Sequence, residues 1–397
     1  MVSAFVALIF AGSPAAPTIA QDAPWPTDAW TTSTPEAQGL DPAPLADLRD
    51  EIAAGAFGFI DRLVVVRNGY LVTNERYEND YGEISGDRHT DESDALAGGG
   101  TPHQFNYYHP DFHPYHQGRD VHSLQSVTKS VSSTLIGIAI GRGEIRGTDA
   151  RLLSFFEGYD TSNADPRLAS VTLDDLLTMR SGIEWHENDR PFNETNTTLQ
   201  LEGSDDWIQF TLDQPMDADP GEEWVYSSGG SHLMSGVIRA ATGSFIDEYA
   251  VTHLFEPIGI RYHHWKKTPK GYPDTEGGLY LEAEDLAKFG YLFLQGGVWD
   301  GRQVVPEEWV REATARRVDR VNSAGFGYGY QWWRLDRDGV DVWGGLGFGG
   351  QYLVVIPEYD LVGVVNSWNL FGGRVRGILG PFLEALLASA SGPTARP

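Results

Sequence analysis

The sequence predicts an α/β fold of the α+β kind, an antiparallel sheet assembled from both ends of the chain, flanked by helices and interrupted by a mainly helical inserted region. Three observations predict it. Near the start, LVVVRNGYLVTN (63–74) sets Asn68-Gly69 between two β-rich runs, a strong hairpin signal. Near the end, FGYGYQWW (326–333), QYLVVI (351–356) and LVGVVN (361–366) read as strands. Between them, apolar residues recur at helical spacing in TLDDLLTMR, SDDWIQFTL and EAEDLAKFGYLFL. Strands at both ends with helices between them pair most economically into one sheet. No repeat occurs at solenoid periods.

In chain order, VSAFVALIFAGSPAAPTIA (2–20) is a short apolar run with a small-residue ending, so residues 1–20 read as a secretory signal although no Lys or Arg precedes Arg49. A secreted or periplasmic protein is expected on that reading, and a cytoplasmic one if the segment is not a signal. Residues 21–36, rich in Pro, Thr and Asp, read as a linker. Asp41-Pro42 offers an N-cap and an N1 proline, Leu45, Leu48 and Ile52 recur at helical spacing, and Gly55 closes that helix. The hairpin follows. Residues 37–150 and 318–397 are assigned to a sheet-containing domain, 151–317 to a mainly helical insertion. A last apolar helix is expected from about Pro381.

The charge balance is 56 acidic against 29 basic residues, a formal −27, with no acidic tail. Counterion release needs cations, so nucleic acid is excluded as a partner, and an anionic membrane surface with it. With no cysteine in the chain, disulfides, thiolate metal sites and a cysteine nucleophile are excluded. Oligomeric state is left open.

HSLQSVTKSVSSTLIGIAIG (122–141) places one of only five lysines at the head of an apolar, small-residue helix. Val127, Val131, Leu135 and Ile138 form one stripe, and Ser126 and Lys129, three apart, lie together beside it. A serine hydroxyl is a poor nucleophile until a base takes its proton, and a lysine can serve once burial lowers its pKa. The helix start adds N–H groups for an oxyanion. Alone, Ser-x-x-Lys is a weak signal, and an exposed helix lysine would explain it equally well. PGEEWVYSSGG adds Tyr226-Ser227-Ser228, with Tyr226 able to relay a proton. Tyr77-Glu78-Asn79 competes for that role. WGGLGFGGQYLVVIP (343–357) adds glycines through which a backbone N–H can approach a substrate.

Ser-x-x-Lys, Tyr-x-Ser and a glycine-rich C-terminal strand, in this order, resemble the serine β-lactamase and penicillin-recognising superfamily, and within it the class C β-lactamase-like group of family VIII esterases and 6-aminohexanoate-dimer hydrolases. The likeness runs from about Leu63 to Asn366. It implies a β-lactamase/transpeptidase-like fold, Ser126 as nucleophile, Lys129 as base, Tyr226 as general acid/base and Ser228 as a polar neighbour. Trp343-Gly344-Gly345 resembles the Trp-x-Gly motif of family VIII esterases, with the oxyanion N–H on Gly345, Leu346 or Gly347. Lactamases carry Lys-Thr-Gly or His-Thr-Gly on this strand; Trp343 replaces the cation, which argues against efficient penicillin recognition. Nylon oligomer hydrolases use a tyrosine after the RSGI turn, where this chain reads Trp185-His186-Glu187-Asn188-Asp189. Hydrolysis of small carboxylic esters without a cofactor is therefore expected. Amidase or peptidase action on short oligomers, weak β-lactamase action, and a low-turnover binding or sensing module are the alternatives.

His109, His113 and His116 read as a polar loop, with no metal site assigned. His122 is expected to cap the helix or support the site. Trp185 and Trp343 are expected to line a substrate pocket, with less expected of Trp207, Trp332 and Trp333. Asp285 and Lys288 are expected to form a structural pair.

Overall fold

The computed structural model describes residues 25–85, 118–162, 164–191, 193–370 and 376–390. The main elements are α1 (Pro42–Ala53), β1 (Ile60–Arg67), β2 (Tyr70–Arg76), β3 (Val121–Ser123), α2 (Val127–Gly141), α3 (Ser228–Thr242), β4 (His264–Trp265), β5 (Leu279–Glu282), α4 (Ala283–Leu294), the short hairpin β6 (Val298–Trp299) and β7 (Arg302–Gln303), then β8 (Gly327–Tyr328), β9 (Trp333–Arg334), β10 (Trp343–Gly347), β11 (Gln351–Ile356), β12 (Leu361–Ser367) and α5 (Leu379–Ser389). The large sheet has seven strands in the order β2-β1-β12-β11-β10-β9-β8. Every pairing in it is antiparallel, and β1 from one end of the chain lies beside β12 from the other.

The hairpin forms as its sequence dictates. Asn68 and Gly69 both take positive φ (52° and 77°), and Arg67 pairs with Tyr70. Asp41 caps α1 by accepting from the Ala43 N–H, and Gly55 follows the helix at φ 76°. Side chains then alternate across the sheet. Leu63, Val65, Val354, Ile356 and Val365 face α1 and α5, while Val64, Val66, Leu353, Val355 and Val364 face the core that holds α2 and α4. Each fully buried aliphatic side chain contributes roughly 1.5–3 kcal/mol of transfer free energy.

Several expectations are refined. Residues 25–36, read as linker, are packed: Trp25 and Trp30 lie against Tyr291, and Trp30 Nε1 donates to the Glu284 carbonyl. Helix α4, assigned to the insertion, covers the large sheet; a Cβ on Gly290 would meet Leu353 and Val362 at 2.7 and 2.8 Å, so glycine sets this close approach. FGYGYQWW yields two two-residue strands because Gln331, at φ 61°, turns the chain between them. The glycine-rich run is itself strand β10, and α5 begins at Leu379, two residues early. Helix α2 buries Val127 through Ala139 on every side rather than along one stripe. Two of its hydroxyls bond within the helix, Ser132 Oγ to the Thr128 carbonyl and Thr134 Oγ1 to that of Ser130, while Ser130 and Ser133 donate to the Gln331 and Tyr330 carbonyls. Asp285 and Lys288 do form an ion pair, 2.9 Å apart and largely buried. Residues 1–24 and the histidines at 109, 113 and 116 lie outside the described residues. Among those described, no helix is long and apolar enough to cross a membrane.

Candidate active site

Strand β3 delivers the chain to Gln125, whose φ of 47° is left-handed and therefore strained for a side-chain-bearing residue. Its amide Nε2 donates to Ser123 Oγ (2.9 Å), fixing the turn. Ser126 then stands at the N-cap of α2, partly exposed. An N-cap serine ordinarily accepts from the next helical N–H groups, but Ser126 makes no such bond. Its Oγ instead accepts from Lys129 Nζ at 3.0 Å.

Lys129 is 1% exposed and surrounded by acceptors. Besides Ser126, its ammonium reaches Ser228 Oγ (3.2 Å), the Glu276 carbonyl (2.6 Å) and Glu276 Oε2 (3.3 Å). Burial alone would lower its pKa, the expectation drawn from sequence. Here the charges of Tyr226, Glu276, Glu187 and Asp274 outweigh burial and raise it, so the ammonium is the favoured form. The direction is opposite to that expectation: desolvation is present, but an ionised Tyr226 first, and then the surrounding carboxylates, outweigh it.

Ser227 caps α3 by accepting from the Gly230 N–H, which leaves Ser228 free for the site. Its own N–H donates to Met179 Sδ, and the Val225 N–H to the Met179 carbonyl, so the TMRSG turn holds the tyrosine segment in place. The Tyr226 ring lies 5.1 Å from Lys129 Nζ. Burial raises the Tyr226 pKa, while Lys129 and a hydrogen bond with Ser126 oppose that rise. Ser126, Lys129, Tyr226 and Ser228 thus meet in one place. Tyr77-Glu78-Asn79 does not join them, since Asn79 binds the Ile60 carbonyl at the end of the sheet.

Strand β10 passes over the start of α2. A Cβ on Gly345 would strike Val127 at 2.7 Å and one on Gly347 the Leu124 carbonyl at 2.5 Å, so both positions require glycine. Val342 turns its carbonyl to the β9 edge, accepting from the Leu335 N–H. Alternation along the strand sends Gly344 and Leu346 to that same edge, and Gly345 and Gly347 to the β11 edge. Pairing with β9 ends at Gly344–Trp333, so the Leu346 N–H projects beyond the last paired residue.

Two tryptophans are placed otherwise than expected. Trp343 is in the core, 5.4 Å from Trp332 and 6.1 Å from Phe293; it shares the α2-facing side of β10 with Gly345 and Gly347, but at the end of the strand where those two rings cover it. Trp185 is buried too and acts as a donor, its Nε1 reaching Glu187 Oε2 and Thr198 Oγ1, both at 3.1 Å. Trp207 and Trp332 are core residues, whereas Trp333 is partly exposed and stacked on Tyr226 at 5.9 Å. His122 caps nothing; it is buried, 3.2 Å from Asp61, with its ring tilted against that of Trp368 at 4.2 Å.

Sequence reasoning missed the acidic surroundings of Lys129. Glu276 sits 147 residues downstream, with no motif to mark it. Burial works against its carboxylate, but Lys129, Glu202 and Lys266 more than compensate and lower its pKa. Glu202 is buried beside it and pushed well above the carboxylate range, first by desolvation and then by Glu276. Glu187 accepts from the Ser228 N–H and hydroxyl, each at 2.9 Å. Among the described residues Glu184, His186 and Asp217 are spaced to hold a metal ion, at the partly exposed rim. His186 is already paired there with Asp189 (2.8 Å) and Glu184 (3.2 Å).

Behind the site, His232 on α3 is fully buried against Trp207, and burial lowers its pKa to about 4. An ordinary unfolded-state value near 6.5 lies above that, so the unfolded chain takes up the proton first. The stability of keeping His232 neutral is complete above about pH 6.5 and is lost as pH falls toward 4, by roughly 3 kcal/mol. In urea unfolding the stability of wild type minus that of His232→Phe should therefore fall between pH 7.5 and pH 4.5, the variant being relatively more stable in acid. An equal difference at both pH values would overturn the assignment.

Comparison with known proteins places the chain in a family. The Beta-lactamase family model matches residues 94–383. The 6-aminohexanoate-dimer hydrolase of Paenarthrobacter ureafaciens is 27% identical over 286 residues, covering 66% of this chain and 69% of that protein. In structure, the chain is similar to a family VIII carboxylesterase (TM-score 0.63, 13% identity, 90% of this chain and 98% of that one). It is also similar to a D-stereospecific amidohydrolase from Streptomyces sp. (TM-score 0.59, 16% identity, 88% and 99%).

Proposed function

Since the chain belongs to the beta-lactamase family and is one of its serine hydrolases, we propose that it cleaves small carboxylic esters by a two-step acyl transfer at Ser126. The observation that carries the reading is the contact of Ser126 Oγ with Lys129 Nζ at 3.0 Å, with the Tyr226 ring 5.1 Å from the same ammonium. In the form that has lost the phenol proton, Tyr226 takes the Ser126 proton, and the neighbouring ammonium stabilises the negative charge, first on the phenolate and then on the serine oxygen. The serine oxygen attacks the ester carbonyl, whose oxygen becomes anionic against the N–H of Ser126 and, by the edge alternation of β10, that of Leu346. Tyr226 then protonates the leaving alkoxide, and water releases the acyl group by the same steps in reverse order.

Ester rather than amide cleavage is favoured because the loop after the RSGI turn carries Trp185 to Asp189 without a tyrosine. Penicillins are disfavoured because no cation stands at Trp343, whose ring is in the core. The test is a panel of p-nitrophenyl butyrate, the 6-aminohexanoate linear dimer, a D-Ala-D-Ala peptide and benzylpenicillin. The expected kcat/KM is highest for the ester by at least about a hundredfold. A dimer or peptide rate equal to that of the ester would replace this reading with an amidase.

A further inference from the structure

The Ser228 hydroxyl is bonded on two sides. Glu187 Oε1 lies 2.9 Å from its oxygen and Lys129 Nζ 3.2 Å from it. A hydroxyl has one proton to give and lone pairs to offer, so only one of these neighbours can receive the proton. Lys129 is placed to donate: its nitrogen also reaches Ser126 Oγ at 3.0 Å, the Glu276 carbonyl at 2.6 Å and Glu276 Oε2 at 3.3 Å, and an ammonium is the form that suits so many acceptors. The Ser228 proton therefore goes to Glu187. A line of bonds results: Glu187 accepts from Ser228, Ser228 accepts from Lys129, and Lys129 donates to the oxygen that attacks.

Glu187 is held so that it can only accept. Its Oε2 takes the Ser228 N–H at 2.9 Å and the Trp185 indole N–H at 3.1 Å, which leaves Oε1 to the hydroxyl. Its main chain is fixed as well, because Asn196 Nδ2 donates to the Glu187 carbonyl at 2.9 Å. The indole reaches this place over a glycine: a Cβ on Gly229, the residue after Ser228, would strike the Trp185 ring at 2.3 Å. Burial raises the Glu187 pKa, and the Lys129 ammonium and both Ser228 bonds oppose that rise. The other titratable groups that face Lys129 and Tyr226 are Glu276, Asp274 and Tyr328, with Glu202 and Lys266 acting on Glu276. Glu276 also feels Ser228, but the hydrogen bond of the hydroxyl runs to Glu187.

We infer that Glu187 is a positioning residue for the acyl transfer: by taking the Ser228 proton it holds Lys129 as an ammonium aimed at Ser126, so that the proton lost from the Lys129–Tyr226 pair comes from the tyrosine. The inference rests on the acyl-transfer reading, in which the phenolate takes the serine proton. Glu187→Gln keeps the size of the side chain and reverses the line. The two N–H donors at Oε2 fix the amide with its oxygen toward them and its NH2 toward Ser228 Oγ. The Ser228 proton then turns to Lys129, where an ammonium has no lone pair for it and a neutral amine has one. The pair now loses its proton from Lys129, and Tyr226 stays a phenol.

The experiment is the pH profile of kcat/KM for p-nitrophenyl butyrate, less the rate of Ser126→Ala, in wild type, Glu187→Gln, Ser228→Ala and the double variant. On the acid limb the rate follows the ionisation of Tyr226 alone, so Glu187→Gln should stay within about threefold of wild type there. It should level off at least about one pH unit earlier than wild type and about tenfold lower for each unit. A merely structural role would lower the whole profile by one factor and leave its midpoint in place. In the Ser228→Ala background the line is already cut, and the same substitution should cost less than about threefold at the plateau. A uniform drop, an unchanged profile, or an equal loss in both backgrounds would overturn the inference. If Glu187→Gln does not fold, Ser228→Ala alone reads the same line: it takes an acceptor from the ammonium, and its profile should level off earlier and lower than wild type. The ionisation can also be read without turnover, as the tyrosinate absorbance of each protein minus that of its Tyr226→Phe counterpart. Tyr226 should ionise at a higher pH in Glu187→Gln than in wild type, and an equal or lower pH would overturn the inference. A wild type that hydrolyses no ester would sink the acyl-transfer reading and leave this titration to decide on Glu187.

Discussion

Ser126→Ala should lower kcat for p-nitrophenyl butyrate by about 10⁴ to 10⁶, the range seen when a hydrolase loses its nucleophile. KM should change little, because the aromatic and glycine-lined surroundings are untouched. The fold should be unaffected as well. Ser126 makes no capping bond, so alanine removes none from α2, and Lys129 keeps Ser228 and Glu276 as partners. Unfolding free energy should stay within about 0.5 kcal/mol of wild type. Side-by-side purification and assay decide it. A variant retaining more than a hundredth of the wild-type rate would show that another group attacks the ester.

Local chemistry made part of this molecule legible from sequence. Asn68-Gly69 could form only a tight hairpin turn, and Asp41-Pro42 a helix start, so the ends of the large sheet and α1 were readable. Ser126 and Lys129 were readable as neighbours because three residues on a helix bring side chains together. What was not readable depends on distant packing. Nothing near Glu276 marks it, since its position comes from the turn before β5, where Asp274 Oδ1 accepts from the Glu276 and Gly277 N–H groups. The ionisation of Lys129 depends on that turn together with Tyr226 and Glu187, all distant in sequence, and a reading limited to the helix has only burial to weigh. Trp343 failed for a related reason. A motif names the residue, but the rings of Trp332 and Phe293, brought from distant elements, cover that end of β10 and bury it.

Lys129→Met keeps the stem of the lysine and removes its charge, so it separates packing from electrostatics. Activity should fall by about 10²–10³, the usual worth of a fixed donor that stabilises developing negative charge. Stability should fall too, by about 3–5 kcal/mol at pH 8, because Glu276 and Asp274 lose a buried counter-ion. The pH dependence distinguishes this from simple loss of packing. In wild type the Lys129 pKa is raised, so its contribution is complete at all pH values below its unfolded value near 10.4 and is lost only as pH rises through the higher folded value. Between pH 5 and 8 that contribution is constant. In the variant the orphaned carboxyl groups have folded pKa values above the unfolded range near 4, so the folded state binds more protons and becomes less stable as pH rises. The gap between the two proteins should therefore widen from pH 5.5 to pH 8.0 in urea unfolding, and a constant gap would show that the charge of Lys129 is not what those carboxylates require. Wild-type kcat/KM should itself climb toward alkaline pH, because the reactive form has lost one proton from the Lys129–Tyr226 pair and both groups hold theirs above their ordinary values. If Lys129→Met does not fold at pH 8, Tyr226→Phe carries the same question: it removes the proton acceptor and leaves the ammonium with Glu276. It should lose comparable activity with little loss of stability.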